Sequence, residues 1–138
     1  RVVLMGIEKI KTIGDCYMAI SGIRDKSENH AHKIIEFARG LLQDVKEFNK
    51  TSKYKFDIRI GINSGEVVAG VIGKIKFIYD VWGDTVNIAS RMETLSKPGY
   101  IHVSEHTYEL TKNLVAYTEV ETQIVKGKGE MKTYFVQL

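Results

Sequence analysis

The sequence predicts an α+β sandwich, and three observations carry that expectation. A strongly amphipathic helix over 31–48 requires a flat apolar partner, and residues 56–62 supply one. There Phe56, Ile58, Ile60 and Ile62 alternate with Asp57, Arg59 and Gly61, the period of a strand with one buried face. The remaining candidate strands follow one another too closely for an all-parallel sheet, whose crossovers each need about a dozen residues.

Residues 7–22 read as two short strands, IEKIKTI and CYMAISGI, turning at Gly14-Asp15, so Asp15 is expected at a hairpin tip. In the helix that follows, Ala31, Ile34, Ile35, Ala38, Leu41, Leu42, Val45 and Phe48 recur at three- and four-residue spacing, with Ser27 as the N-cap. After the 56–62 strand, Gly65 and Gly70 bracket the apolar run EVVAG. Gly73 then precedes KIKFIYDVWGD, a basic and aromatic stretch without a clear period, expected as a loop that forms a site or an interface. From Asp84, Val86, Ile88, Ala89 and Met92 mark a helix that Pro98-Gly99 stops. A strand over 100–103 and a short helix over 106–111 follow. Two strands, TEVETQIV and KTYFVQL, joined by Lys126-Gly127-Lys128-Gly129, close the chain.

At 138 residues the chain fits one domain, 1–138, able to bury roughly two thirds of its unfolded surface. Hydrophobic residues at 43% and charged residues at 27% are those of a folded globular chain rather than a disordered one. The longest apolar stretches, 2–5 and 67–72, fall far short of the roughly 20 residues that cross a bilayer, so no membrane contact is expected within the chain. The net charge of +3 comes from 20 basic residues spread among 17 acidic ones, which implies no nucleic-acid surface. Cys16 has no internal disulfide partner, which favours a reducing, cytoplasmic setting. His30, His32, His102 and His106 belong to no cysteine cluster and no helical HExxH, so they are expected at the surface or in packing rather than on zinc.

The stretch YDVWGDTVNIASRM places Asn87 and Arg91 four apart, one face of a helix from which an amide and a guanidinium can address one ligand. The guanidinium fork suits a phosphate, because it donates two hydrogen bonds and keeps its charge. Taken alone, the spacing favours an ordinary polar helix surface. Asp15 alone is equally a turn aspartate, and KGKG equally an inert hairpin tip.

YDVWGDTVNIASRM closely resembles the signature of the class III adenylyl and guanylyl cyclase catalytic domains. EKIKTIGDCYMA, RIGINSGEVVAGVIG and VKGKGEMKTYFV resemble further segments of that family, in the family's order, so the resemblance covers nearly the whole chain. It implies a ferredoxin-like βαββαβ core with extra C-terminal strands, assembled as a head-to-tail homodimer with active sites at the subunit interface. It also implies the reaction: the 3′-hydroxyl of a nucleoside triphosphate attacks its own α-phosphorus and expels pyrophosphate, with two Mg2+ or Mn2+ as cofactors. By motif position Asp15 matches the family's second metal aspartate, Asn87 the residue that orients the ribose, Arg91 the one that stabilises charge at the α-phosphate and Lys126 the one that meets the terminal phosphates.

Lys11 and Asp80 match the base-reading positions. Adenine offers an acceptor at N1 and a donor at its 6-amino group, which a lysine and an aspartate complement. Guanylyl cyclases of the family carry Glu and usually Cys there, so both letters favour ATP and cyclic AMP. One departure stands out: no phrase like FADIVGFT, which carries the family's first metal aspartate, occurs in the chain. The first strand and helices of the full domain therefore have no counterpart here, and the chain by itself is expected to turn over negligibly. Two alternatives remain beside the adenylyl cyclase, a guanylyl cyclase and a noncatalytic dimerisation or nucleotide-sensing module derived from one. An RNA-binding ferredoxin-like domain is disfavoured by the lack of paired aromatic strand motifs.

Overall fold

The computed structural model describes residues 8–13, 16–20, 30–53, 57–65, 68–72, 78–82, 84–125 and 129–138. Strands β1 (Glu8–Ile13) and β2 (Cys16–Ile20) form an antiparallel hairpin with Ile13 opposite Cys16. The expected hairpin is therefore present, while Gly14 and Asp15 at its tip lie outside the described residues, as does the expected N-cap Ser27.

Helix α1 (His30–Thr51) buries Ala31, Ile35, Phe37 and Ala38, and Ile34 and Leu42 lean on the same core. Its apolar stripe stops short of the expected end, since Phe48 is 50% exposed. The 22 residues of helix run about 33 Å, and the core takes up only Ile34, Ile35, Ala38 and Leu42 from its apolar stripe, while the strand β3 (Ile60–Ile62) is three residues long. That strand is itself shorter than the 56–62 alternation predicts. Ile58 offers its carbonyl to the N–H of Gly99 at 2.8 Å, a loop contact rather than a ladder bond. The alternation of burial persists nonetheless, with Ile62 buried and Asp57 and Arg59 exposed.

Strands β4 (Val68–Ile72) and β5 (Ile78–Trp82) pair as a second antiparallel hairpin. This corrects the expectation of a loop across KIKFIYDVWGD at residues 78–82; residues 74–77 and 83 of that stretch lie outside the described residues. Ile78, Tyr79, Val81 and Trp82 are aromatic or β-branched, side chains that suit a pleated strand even where no polar alternation announces one. Helix α2 (Asp84–Thr94), strand β6 (Ile101–Ser104), helix α3 (Glu105–Thr111) and strands β7 (Tyr117–Val125) and β8 (Gly129–Val136) complete the described chain. Ser104 caps α3 by accepting the N–H of Thr107 on its hydroxyl at 3.3 Å.

The main sheet has the order β3-β6-β8-β7, with β3 and β6 parallel and the other pairs antiparallel. Because successive side chains leave opposite faces of a strand, this sheet is two-sided. On one face Ile62, Ile101, Val103, Tyr134 and Val136 meet Ile35 and Ala38 of α1. Tyr108 of α3 stacks on Tyr134 there, with ring centroids 3.8 Å apart. The other face carries Gly61, His102 and Phe135, and α2 lies on it. Each large apolar side chain removed from water this way contributes roughly 1.5–3 kcal/mol.

Candidate active site

Helix α2 holds Asn87 and Arg91, both exposed and one turn apart, so the shared face read from their spacing is realised. The opposite side of the helix is anchored by Met92, fully buried. Asp84 in the first turn favours the positive end of the helix dipole.

Among the described residues, contacts at the first and last turns of α2 seat it on the sheet, beside an ion pair of Arg59 with Glu93 at 3.7 Å. At Gly61 the helix backbone comes so close that an added Cβ would lie 1.9 Å from the nitrogen of Glu93, space only glycine leaves. At the first turn, the Asn63 side-chain amide donates to the carbonyl of Thr85 at 3.0 Å, and Ser104 Oγ donates to Asn63 Oδ1 at 2.5 Å. At the last turn, His102 Nδ1 pairs with the carbonyl of Met92 at 2.9 Å, so Nδ1 carries the proton and donates. The His102 ring is fully buried and stacked on Phe135 at 4.5 Å, and its Nε2 has no partner. Burial lowers its pKa below the ordinary 6.5; the bond to Met92 and the carboxylate of Glu121 oppose the shift, and Lys97 adds to it.

The strands beside α2 carry the expected base-reading positions. Asp80 sits in the middle of β5 opposite Gly70, and Lys11 sits in β1 opposite Met18, just after a register irregularity between Lys9 and Lys11. Strand β1 lies against β5, and β5 against α2. The fold thus brings together the elements of Lys11, Asp80, Asn87 and Arg91. Asp15 and Lys126 lie outside the described residues. The hairpin flanking Lys126 is framed by Val125 opposite Gly129, whose φ of +75° favours glycine. Among the described residues, no group of three or more His, Cys, Asp or Glu side chains is gathered to hold a metal.

Sequence reading placed Gly61 only in the alternation of the strand and His102 only as a surface or packing histidine, and it missed Asn63 and Ser104 altogether. Their signal was present but faint: Gly61 and Asn63 occupy the face of β3 opposite Ile60 and Ile62, where apolar residues would stand if an ordinary core lay there.

Comparison with known proteins places these elements in context. Residues 3–138 match the family model for the adenylate and guanylate cyclase catalytic domain. Adenylate cyclase type 9 of Gallus gallus is 48% identical over 137 residues, covering 93% of this chain and 10% of that protein. The chain therefore spans only about a tenth of that relative. The guanylate cyclase domain of RhGC from Catenaria anguillulae, solved in complex with GTP, superposes with a TM-score of 0.91 at 40% identity, covering 99% of this chain and 75% of that one. The catalytic core of a rhodopsin-guanylyl cyclase with converted specificity, in complex with ATPαS, gives 0.87 at 41% identity, covering 99% of this chain and 74% of that one.

Proposed function

Since the chain belongs to the family of adenylate and guanylate cyclase catalytic domains, we propose that it serves an adenylyl cyclase, converting ATP to 3′,5′-cyclic AMP and pyrophosphate. The observation that supports this reading is that β1, the strand of Lys11, lies against β5, the strand of Asp80, and β5 against α2, the helix of Asn87 and Arg91.

In the reaction a bond forms between the 3′-oxygen and the α-phosphorus, the bond from that phosphorus to pyrophosphate breaks, and the 3′-hydroxyl proton is released. Lys11 donates to adenine N1 and Asp80 accepts from the 6-amino group, a pattern guanine inverts. Asn87, with an NH2 donor group and a carbonyl acceptor on a short side chain, holds the ribose so that its 3′-oxygen faces the phosphorus. Arg91 offers its fork to the α-phosphate oxygens, where charge is redistributed as the bonds exchange. Lys126 meets the terminal phosphates and steadies the leaving group. Asp15 is the residue of this chain that would bind divalent metal, Mg2+ or Mn2+, which when bound offsets triphosphate charge and makes the 3′-hydroxyl more acidic. We propose a homodimer with the nucleotide at the subunit interface.

Similarity to a guanylate cyclase domain bound to GTP favours a second reading, cyclisation of GTP, against which Lys11 and Asp80 both speak. Incubating the full-length gene product with ATP or GTP and either metal, and measuring both cyclic nucleotides, tests the two together. Cyclic AMP in excess is expected. Cyclic GMP in excess selects the second reading, and neither product from a folded protein rejects both.

A further inference from the structure

We propose that Asn63 and His102 are positioning residues that fix the two ends of α2 against the sheet and thereby set where Asn87 and Arg91 stand. The inference rests on the reading that α2 faces the nucleotide. It begins with the way this short helix is seated. Its contact with β3 is backbone against backbone at Gly61, which sets how closely helix and sheet approach. A glycine surface has no ridges, so by itself it fixes neither the rotation of the helix nor its position along its axis.

Directional bonds at the two ends supply what the glycine cannot. Asn63 reaches the Thr85 carbonyl at 3.0 Å, two residues before Asn87. His102 reaches the Met92 carbonyl at 2.9 Å, one residue after Arg91. The Thr85 carbonyl already faces the N–H of residue 89 within the helix, so the bond from Asn63 satisfies no orphan and acts chiefly as a tether. The Met92 carbonyl is different. Leu95 N–H bonds Arg91 and Ser96 N–H bonds Glu93, passing Met92 by, and His102 takes that place.

The two tethers share one base. Gly61 lies opposite His102 in the β3–β6 register, and Asn63 continues that face to Ser104, whose hydroxyl holds the Asn63 amide in orientation. His102 also carries a penalty that a purely structural residue would avoid, because its Nε2 is buried without a partner. A phenyl ring there would stack on Phe135 equally well and lose only the donor.

Three variants of the full-length protein separate donor from bulk. His102→Phe keeps a ring and removes the donor; His102→Asn restores an N–H near the Nδ1 position without the ring; Asn63→Asp keeps the acceptor for Ser104 and removes the donor to Thr85. Each is measured for kcat and KM with ATP, melting temperature, and hydrogen exchange across α2. Misplacing catalytic groups by about 1 Å costs up to about 100-fold, so kcat should fall about 10- to 100-fold in His102→Phe and Asn63→Asp with KM nearly unchanged. His102→Asn should recover most of kcat, and exchange should quicken in α2 but not in β6 or β8. Wild-type kcat and exchange in both donor-deleted variants would overturn the proposal, as would a His102→Asn enzyme no better than His102→Phe. Should the wild type make no cyclic nucleotide, the proposed function fails separately, and exchange in α2 decides: faster exchange in the donor-deleted variants supports the tethers, unchanged exchange overturns them. If His102→Phe does not fold, Asn63→Asp carries the same readouts.

Discussion

Arg91 is exposed on α2 while its neighbour Met92 is fully buried, so its guanidinium can be removed without disturbing the core. Arg91→Ala keeps a strong helix former in place and should lower kcat by about 10²- to 10³-fold with little change in melting temperature. Full activity in that folded variant would exclude Arg91 from the reaction. Base choice is tested at the strands. Lys11→Glu with Asp80→Cys inverts the donor and acceptor pattern, each mismatch being worth about 1–3 kcal/mol, so the ratio of kcat/KM for ATP to that for GTP should drop by roughly 10- to 10⁴-fold. An unmoved ratio means these two residues do not read the base. His102 gives the residue-level pH prediction. Its ring is held below 6.5, so as the pH falls the unfolded chain takes up a proton before the folded one does. The stabilisation is present above about pH 6.5 and lost below it, so the wild-type melting temperature should fall more steeply from about pH 7 to pH 5 than that of His102→Phe. Of these residues, only the shared helical face of Asn87 and Arg91 was legible from spacing, whereas the roles expected of them, and of Lys11, Asp80, Asp15 and Lys126, came through resemblance. Asn63 and His102 were not legible as a pair, because what joins them is a helix neither belongs to.

The elements differ in how plainly the sequence announces them. Helix α1 is written in its three- and four-residue apolar spacing, and the terminal hairpin of β7 and β8 in its glycine-bearing turn. Strand β5 was hidden because Ile78, Tyr79, Val81 and Trp82 leave little polar alternation around Asp80, and only pairing with β4 defines it. The end of the apolar stripe on α1 was equally out of reach, since it depends on which residues of β3, β6 and β8 come to lie under the helix. Close helix–strand approach likewise has no local signal, and it makes the sharpest prediction at this scale. Gly61→Ala places a methyl 1.9 Å from a backbone nitrogen that no side-chain rotation can move. Stability should drop by about 3 kcal/mol, seen as an earlier midpoint in urea with an unchanged slope, and α2 should lose exchange protection first. A midpoint equal to wild type would mean that helix and strand separate at no cost.

At the level of the molecule, α1 and α2 cover opposite faces of one sheet, and no helix among the described residues is long and apolar enough to cross a membrane. If two copies share each active site, dilution should separate them, and specific activity should rise with enzyme concentration until the dimer saturates. Specific activity independent of concentration down to the lowest measurable rate would argue for a tighter dimer or a self-sufficient subunit, which sedimentation distinguishes. The α+β class was legible because helical and strand periods alternate along the chain, while the division of labour between the two sheet faces was not, since it is set by which residues stand opposite in neighbouring strands. The end of β5 has an optical consequence. Trp82, the only tryptophan among 138 residues, closes that strand two positions before α2 begins. Excited at the red edge of indole absorption, where the seven tyrosines stay dark, a preparation of these 138 residues emits from that one indole. Its emission reports on the end of the strand of Asp80, two positions before the helix of Arg91, so loosening of α2 can be followed without a dye.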